Sequence, residues 1–473
     1  RSSDLSTIPH AVLLGPTILA TITKQAGFAT ELLECAFRPY QRPRLLELLR
    51  EKPTVVCLST TFILDEEVFL EHVKLVREHA PGAIILAGGP SIGESPEMQN
   101  AVDYYLVGEG EAAILPFVTA AVEGKMPRNS GARVASQPLA SIATMQRPDW
   151  GLLKRAPDDF YLLTTQRGCK WRCTFCTYPV NDGYTLRYRD LDDVVGEIRY
   201  AYEKWGIFRY MFADSTFTHP TDRCISLLEK IRDLPFRVEW AAYARADTIT
   251  PRLADLLSPS GCVGLFFGLE SGNEQQLSRM KKGFTKAQAA KGVELTRGHG
   301  IFRTASWVVG FPGETKATIA ETKDFIEQLG CEQNMINAFT LYGNAPAGLR
   351  PGLFGLTGSG MDWSHETMNG EEALAATDEL NKELLRNDIG IGMVFDLLWL
   401  ASVGLEPAGT HKLFRDSQNL TAIELGLRQA SGEERATLLR TLSDRCDTLF
   451  ARGLSHPIFS RAKTKFTEVG MRV

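Results

Sequence analysis

YLLTTQRGCKWRCTFC, residues 161–176, is a short apolar run that breaks at Gly168 into three cysteines spaced C-x-x-x-C-x-x-C. The run reads as a strand over 161–166, and Cys169, Cys173 and Cys176 follow at its C-terminal end. Thiolates are soft ligands suited to zinc or to iron–sulfur clusters. A structural zinc site wants a fourth close ligand, usually a second C-x-x-C pair or a histidine. The nearest histidine downstream is His219, a poor match. Three thiolates instead suit a four-iron cluster with one iron left open. Three inert buried thiols are the bland alternative. The spacing, the loop position and the flanking Arg167, Lys170 and Arg172 weigh against it.

Downstream, strands and helices alternate. Strands are expected over 161–166, 208–213, 237–243, 262–268, 302–309 and 334–341, and helices over 191–204, 221–233, 251–258, 284–299 and 315–329. Six such units without a break for a second sheet imply a closed or partial parallel barrel, with its chemistry at the strands' C-terminal ends. After Asn344 the pattern changes: 345–370 is rich in glycine, and Glu371 to Phe450 reads as mostly helical.

Upstream, Met126 to Asp159 is polar and irregular with four prolines, and reads as a linker. Before it, helix-like and strand-like segments alternate again. Leu14 to Ala26 reads as a helix and Phe28 to Cys35 as a strand. TVVCLS (54–59) is a strand and Asp65 to His79 a helix. AIILA (83–87) and YYLV (104–107) are strands that run into Gly88-Gly89-Pro90 and Gly108-Glu109-Gly110-Glu111. Buried strands alternating with helices imply a doubly wound parallel sheet. Such domains usually begin with a strand, yet Arg1 to His10 reads as a loop. Either the natural chain begins further upstream or this sheet lacks its first strand. The fold class is therefore α/β: a Rossmann-like domain over 1–126, a linker over 127–158, a partial (β/α)6 barrel over 159–345 and a helical cap over 346–473.

Composition agrees. At 473 residues, 44% hydrophobic and 23% charged, the chain is an ordinary globular protein. A net charge of −5 gives no basic footprint for nucleic acid or an anionic membrane. The longest apolar stretch, Ile391 to Leu405, is too short to span a bilayer and contains Asp396. Nine cysteines, an odd number with three inside eight residues, fit a metal or redox cluster in a reducing cytosol better than disulfides. The expected location is cytoplasmic.

On the cysteine motif the sequence resembles the radical S-adenosylmethionine (SAM) enzymes. The resemblance implies that the three cysteines hold a 4Fe–4S cluster, whose open iron chelates SAM. One electron then cleaves SAM to methionine and a 5′-deoxyadenosyl radical. Phe175, before the last cysteine, matches the aromatic residue that neighbours the adenine. Asp214 and Ser215 end the second strand, Arg245 the third, Glu270 and Ser271 the fourth, and Gly310 the fifth. All match cofactor-facing positions. Physically, glycines at strand ends let backbone approach a ligand, and carboxylates can accept from an ammonium or a ribose hydroxyl. The alternatives are helix capping for Asp214 and Glu270, and an ion pair with Asp247 for Arg245.

The α/β domain ahead of the barrel resembles the cobalamin-binding members of that family. The matching residues are Ser59, Thr60 and Thr61 after VVCLS, Gly88 and Gly89 in LAGGPSIGESPE, and Gly108, Glu109 and Gly110 in VGEGE. All lie where open α/β sheets bind ligands. The D-x-H-x-x-G string of proteins that ligate cobalt with histidine is absent. The resemblance therefore implies a displaced dimethylbenzimidazole tail and no histidine on cobalt.

Together the two resemblances imply a methyltransferase. It would move a methyl group from SAM, via methylcobalamin, to an unactivated carbon or phosphorus of a small-molecule or peptide substrate in natural-product biosynthesis. An electron donor such as flavodoxin or ferredoxin would serve it. In DWSHETM (362–368), Trp363 and His365 would line the substrate site, with His365 as a minority candidate for general base. Tyr342 and Asn344, at the end of the last strand, are better placed for substrate contact. Two rival readings stand: a cobalamin-dependent cyclase or ring-rearranging enzyme without methyl transfer, and a zinc-stapled protein with no radical chemistry.

Overall fold

The computed structural model describes residues 11–35, 41–61, 66–129, 131–154, 159–387 and 389–391, together with Glu433 and Thr437. Strand β1 (Ala11–Val12) leads into helix α1 (Leu14–Gln25). Then come α2 (Arg42–Arg50), β2 (Val55–Ser59), α3 (Glu66–His79), β3 (Ile84–Gly88), α4 (Pro96–Ala101), β4 (Tyr104–Leu106), α5 (Glu111–Val122) and β5 (Ala132–Val134). Strands β2, β3, β4 and β5 form one parallel sheet in that order. Apolar side chains cover both its faces. Phe69, Val73 and Val76 of α3 pack on one side, and Ile114, Phe117 and Val118 of α5 on the other. Burial on two faces is why AIILA reads as a continuous apolar run, whereas VVCLS, the outer strand, is half-buried with Cys57 exposed. The segment read as a linker thus supplies the fourth strand.

Phe28 to Cys35 is not a strand. Glu34 N–H donates to the Gln41 side chain at 2.8 Å, and Thr30 Oγ1 turns back to Phe28 O at 3.1 Å. Phe28 packs into the first-sheet core while Leu32 packs into the barrel core. The segment bridges two cores, a pattern that imitates strand alternation.

The second sheet begins with β6 (Phe160–Leu163). A two-stranded ribbon comes next, β7 (Gln166–Arg167) and β8 (Arg187–Tyr188), which encloses α6 (Tyr178–Asp182). The units α7 (Leu191–Trp205), β9 (Arg209–Phe212), α8 (Thr221–Arg232), β10 (Glu239–Ala244), α9 (Pro251–Leu257) and β11 (Cys262–Glu270) continue the chain. They lead to α10 (Glu274–Arg279), α11 (Lys286–Leu295), β12 (Phe302–Val309), α12 (Lys316–Leu329) and β13 (Gln333–Ala338). The order is β1-β6-β9-β10-β11-β12-β13, all parallel; β1 and β13 do not pair with each other, and a single parallel bridge joins Asn334 of β13 to Ile391. The barrel is partial. Its core is aromatic, with Trp240, Trp307, Tyr210, Phe212 and Phe267 fully buried.

The strand at the start of the chain belongs to this barrel and not to the first sheet, because Ala11 and Val12 pair with Phe160 and Tyr161. Beyond β13, α13 (Pro346–Leu349) precedes an antiparallel sheet of β14 (Thr357–Ser359), β15 (Asp362–His365) and β16 (Met368–Asn369), then α14 (Gly370–Arg386). The strands fall inside the glycine-rich 345–370 segment, ahead of the part expected to be mostly helical. The segment's glycines serve a tight hairpin: a Cβ on Gly358, at φ +85°, would lie 1.9 Å from Asp362 O. Most of the expected cap lies outside the described residues. No described helix is long and apolar enough to cross a membrane.

Candidate active site

The cysteine loop leaves the barrel through Gly168, whose φ is +93°. A side chain there would lie 2.2 Å from Thr185 O, so the exit accepts only glycine. Cys169 N–H then bonds Gly183 O at 3.1 Å, and Cys176 N–H closes a turn on Cys173 O at 3.3 Å. Thr174 ties the loop to the far side of the barrel: its N–H donates to Met280 O at 3.0 Å and its carbonyl accepts from Ala347 N–H at 2.8 Å. Trp171, between the first two cysteines, lies under the Arg245 guanidinium at 4.1 Å and edge-on to His219 at 4.8 Å.

The three thiols are half-buried and free. Burial raises Cys169, with Cys173 adding to the rise and Arg245 opposing it. Cys176 is pushed up to about 12 by burial, again with the neighbouring thiols adding and Lys282 opposing. Burial thus favours the neutral thiol at Cys169 and Cys176, and a positive centre would favour their thiolates. Among the described residues no three or more His, Cys, Asp or Glu side chains form a ready-made ligand set for a single ion. Three soft donors with no fourth ligand fit a cluster that keeps one corner open.

Facing the loop are the strand ends. Beyond β9, Asp214 is turned inward. It accepts from Thr165 N at 2.7 Å, from Gln166 N at 3.2 Å and from the Thr165 hydroxyl. Burial lifts it to about 6 against those bonds. It pins β6 to β9 and has no oxygen turned to a ligand. Ser215, its neighbour, has a buried hydroxyl with no partner and is the better candidate. Arg245 is also committed. It pairs with Asp247 at 2.9 and 3.1 Å and donates to Lys282 O at 2.6 Å, so it braces Trp171. Ser271 accepts from Asn273 N at 3.1 Å and meets Thr322 Oγ1, a turn-forming role.

Glu270 has φ +71° at a register shift in β11, a strained conformation for a residue with a side chain. Its carboxylate meets Lys282 Nζ at 3.1 Å and the Ser306 hydroxyl at 3.3 Å. Lys282 is buried and lies 5.8 Å from the Phe175 ring centroid. Neither Lys282 nor Ser306 was foreseen. Lys282 lies twelve residues beyond Glu270, with nothing local to mark it.

His365 stacks on Trp363 at 5.1 Å, with Nε2 3.0 Å from Gly310 O and Nδ1 accepting from Thr367 N at 3.3 Å. Both ring nitrogens are engaged, and burial lowers its basicity. That placement does not suit a general base. Trp363 Nε1 donates to Phe339 O at 2.8 Å inside a mouth cluster that Phe175 joins. Tyr342 is 45% exposed at the end of the barrel, and the Asn344 Oδ1 is buried without a partner.

On the first domain, Thr60 is fully buried. It bonds Gly88 O through N–H at 2.7 Å and receives Ile92 N–H at 3.2 Å. Gly89, at φ +113°, packs so closely that a Cβ would lie 2.8 Å from Thr60 Oγ1. These two build the loops, while the half-buried Ser59 and Thr61 hydroxyls meet each other at 3.0 Å. Gly108, at φ +96°, has open space beside it, whereas Gly110 packs on Leu19. Glu109 turns to the barrel. Its carboxylate accepts from Leu139 N at 2.6 Å and from Arg187 at 3.1 Å, and pairs with Arg167 at 3.2 Å. Burial opposes its charge, yet those donors hold it below the usual carboxylate range.

Residues 163–326 match the model of the Radical SAM superfamily, and residues 12–117 that of the B12 binding domain. The chain is 25% identical over 307 residues to an uncharacterized methyltransferase of Pyrococcus horikoshii, covering 61% of this chain and 66% of that protein. It is 26% identical to the anaerobic magnesium-protoporphyrin IX monomethyl ester cyclase of Cereibacter sphaeroides, covering 63% of this chain and 53% of that one. Among solved structures, the radical SAM methyltransferase TsrM from Kitasatospora setae, with cobalamin and a [4Fe-4S] cluster bound, superposes with a TM-score of 0.59. The match has 22% identity and covers 71% of this chain and 74% of that one. At that identity the likeness shows the fold.

Proposed function

We propose that this chain, a radical SAM enzyme with a B12 binding domain ahead of its barrel, is a methyltransferase acting on an unactivated carbon or phosphorus centre. The radical SAM domain takes a 4Fe–4S cluster and SAM, and the first domain takes cobalamin. When bound, the cluster supplies the electron that cleaves SAM, and cobalamin supplies a methyl carrier. The residues of this chain do the rest.

Cys169, Cys173 and Cys176 would hold the cluster on a loop that Gly168, Thr174 and Trp171 fix from three directions. Ser215 and the Glu270–Lys282 pair would receive polar groups of SAM, with Phe175 beside them. Ser59, Thr61 and the open turn at Gly108 would meet the corrin. The mouth cluster of Phe311, Phe339 and Trp363 excludes water from a site where a carbon radical would abstract from any hydrogen donor.

The observation that carries the reading is the juncture of the two sheets. The VGEGE turn at the end of β4 is joined through Glu109 to the two arginines that frame the cysteine loop. A corrin and a cluster held at these two ends would face one space, as methyl transfer to a substrate radical demands. The resemblance to a cyclase favours one alternative, ring closure without methyl transfer.

Anaerobic purification and reconstitution, followed by iron, sulfide and corrinoid analysis, tests the cofactors. Turnover with methyl-deuterated SAM separates the two chemistries. A product heavier by a labelled methyl group supports transferase. A cyclised product without label supports the alternative. Zinc at the cysteines with no SAM cleavage contradicts both. The substrate, taken as a small molecule or peptide, and an electron donor of flavodoxin or ferredoxin type belong to the same proposal.

A further inference from the structure

The charged contacts between the VGEGE turn and the cysteine loop are arranged unlike surface ion pairs. Glu109 and Arg187 are mostly buried, and each is used more than once. Arg187 donates to both oxygens of Glu109, to Leu139 O at 2.9 Å and to Asp182 O at 3.1 Å. Arg167 reaches Glu109 at 3.2 Å and also pairs with Glu111. Arg167 and Arg187 lie directly opposite one another on the β7–β8 ribbon. That ribbon is the neck of the cysteine loop: Gly168 and Cys169 leave from one strand, and Gly183 and Thr185, which they touch, return to the other. One carboxylate of the first domain therefore closes the neck of the loop that carries the three thiols.

The same turn has a second side. Gly108, next to Glu109, has a positive φ and no heavy atom within 4 Å of where a side chain would stand. A ligand lying on the first sheet would meet this open side while Glu109 holds the arginines on the other. We infer that Glu109 and Arg187 are positioning residues that transmit occupancy of the B12 binding domain to the cysteine loop, rather than contacts to the corrin. The inference rests on the reading that the first domain binds cobalamin.

The test is amide hydrogen exchange on the full chain, with and without hydroxocobalamin, alongside titration of hydroxocobalamin itself. In the wild type, hydroxocobalamin slows exchange in peptides spanning 168–186 by at least about tenfold. In Glu109→Gln, hydroxocobalamin affinity stays within about threefold of wild type, yet the slowing in 168–186 falls below half its size on a logarithmic scale. Arg187→Gln cuts the contact from the barrel side and gives the same loss. The double variant loses less than the sum of the two single losses, because both remove the shared Glu109–Arg187 contact.

A loss of hydroxocobalamin affinity beyond about tenfold in Glu109→Gln would make Glu109 a corrin contact and overturn the inference. Binding in the wild type with no change in 168–186 overturns it as well, while leaving the proposed function intact. A wild type that binds no hydroxocobalamin overturns both. Failure of both single variants to fold assigns the pair a purely structural role and also overturns the inference.

Discussion

The cysteines make the sharpest prediction at the scale of single residues. Replacing any of Cys169, Cys173 or Cys176 with alanine should drop iron from about four per chain to below one, and abolish SAM cleavage. Cys224→Ser and Cys331→Ser, which alter fully buried thiols in the barrel core, should lower stability and leave iron content intact. Iron and sulfide assays after reconstitution check both. His365 carries the opposite expectation. Its ring nitrogens are committed to Gly310 and Thr367, so His365→Ala should cost about 1–2 kcal/mol of stability through lost hydrogen bonding and stacking. Activity per folded molecule should stay within about threefold; a fall of about a hundredfold would restore the general-base role. The cysteines could be read from the sequence because their signal is local, three residues in eight. Glu109 and Asp214 could be singled out but not understood. The partners that use up their oxygens lie 78 and 49 residues away, and only the fold brings them into reach.

At the scale of elements, the six βα units of the barrel were legible within two residues or so at most strand starts, because buried strands and amphipathic helices each keep their own period. Two-residue strands such as β1, β7 and β8 were not, since two residues carry no period. The turn between β12 and α12, GFPGE (310–314), makes a prediction of its own. Glu314 is buried, and burial pushes it to about 7 although Thr318 and Gly310 donate to it. Its folded-state affinity for a proton exceeds that of the unfolded chain. The stability it contributes is therefore complete below about pH 4.5 and is lost as pH rises through about 7. Glu314→Gln removes the titration while keeping an acceptor for Thr318. Relative to that variant, the wild type should lose on the order of 3 kcal/mol between pH 4.5 and 8. Thermal melts of the two proteins across that range check it; a gap that does not widen with pH contradicts it. Arg245→Lys tests the third strand. A lysine cannot keep the bidentate bond to Asp247 while stacking on Trp171, so the loop loosens and cluster occupancy should fall by half or more, with the barrel's melting little changed.

For the whole molecule, helix α1 decides whether the two sheets behave as one body. Leu14 and Ile18 pack into the barrel core with Trp150 and Tyr161, Leu19 packs into the first-domain core against Gly110, and Ile22 joins both. Thr21 Oγ1 receives Asp149 N–H at 2.8 Å and Lys24 pairs with Asp149 at 2.9 Å, so the helix is also tied to the segment between the sheets. A helix shared by two cores couples their unfolding, because neither can open without uncovering it. The wild type should therefore melt in a single transition by calorimetry. The six tryptophans among the described residues, Trp150 to Trp363, all lie outside the first sheet, so their fluorescence follows the barrel side. In the wild type the fluorescence and calorimetric midpoints should coincide. Leu19→Ala with Ile22→Ala removes apolar contacts on the first-domain side and, at Ile22, a part of the barrel-side packing, at a cost of about 3–5 kcal/mol. The first domain should then melt early, as a calorimetric transition that tryptophan fluorescence does not see, while the barrel transition shifts by only a few degrees. If both probes move together and stay superimposed in the double variant, α1 is not the coupling element. The charged contacts at Glu109, with the 28–35 segment that packs into both cores, would then hold the two sheets together without it.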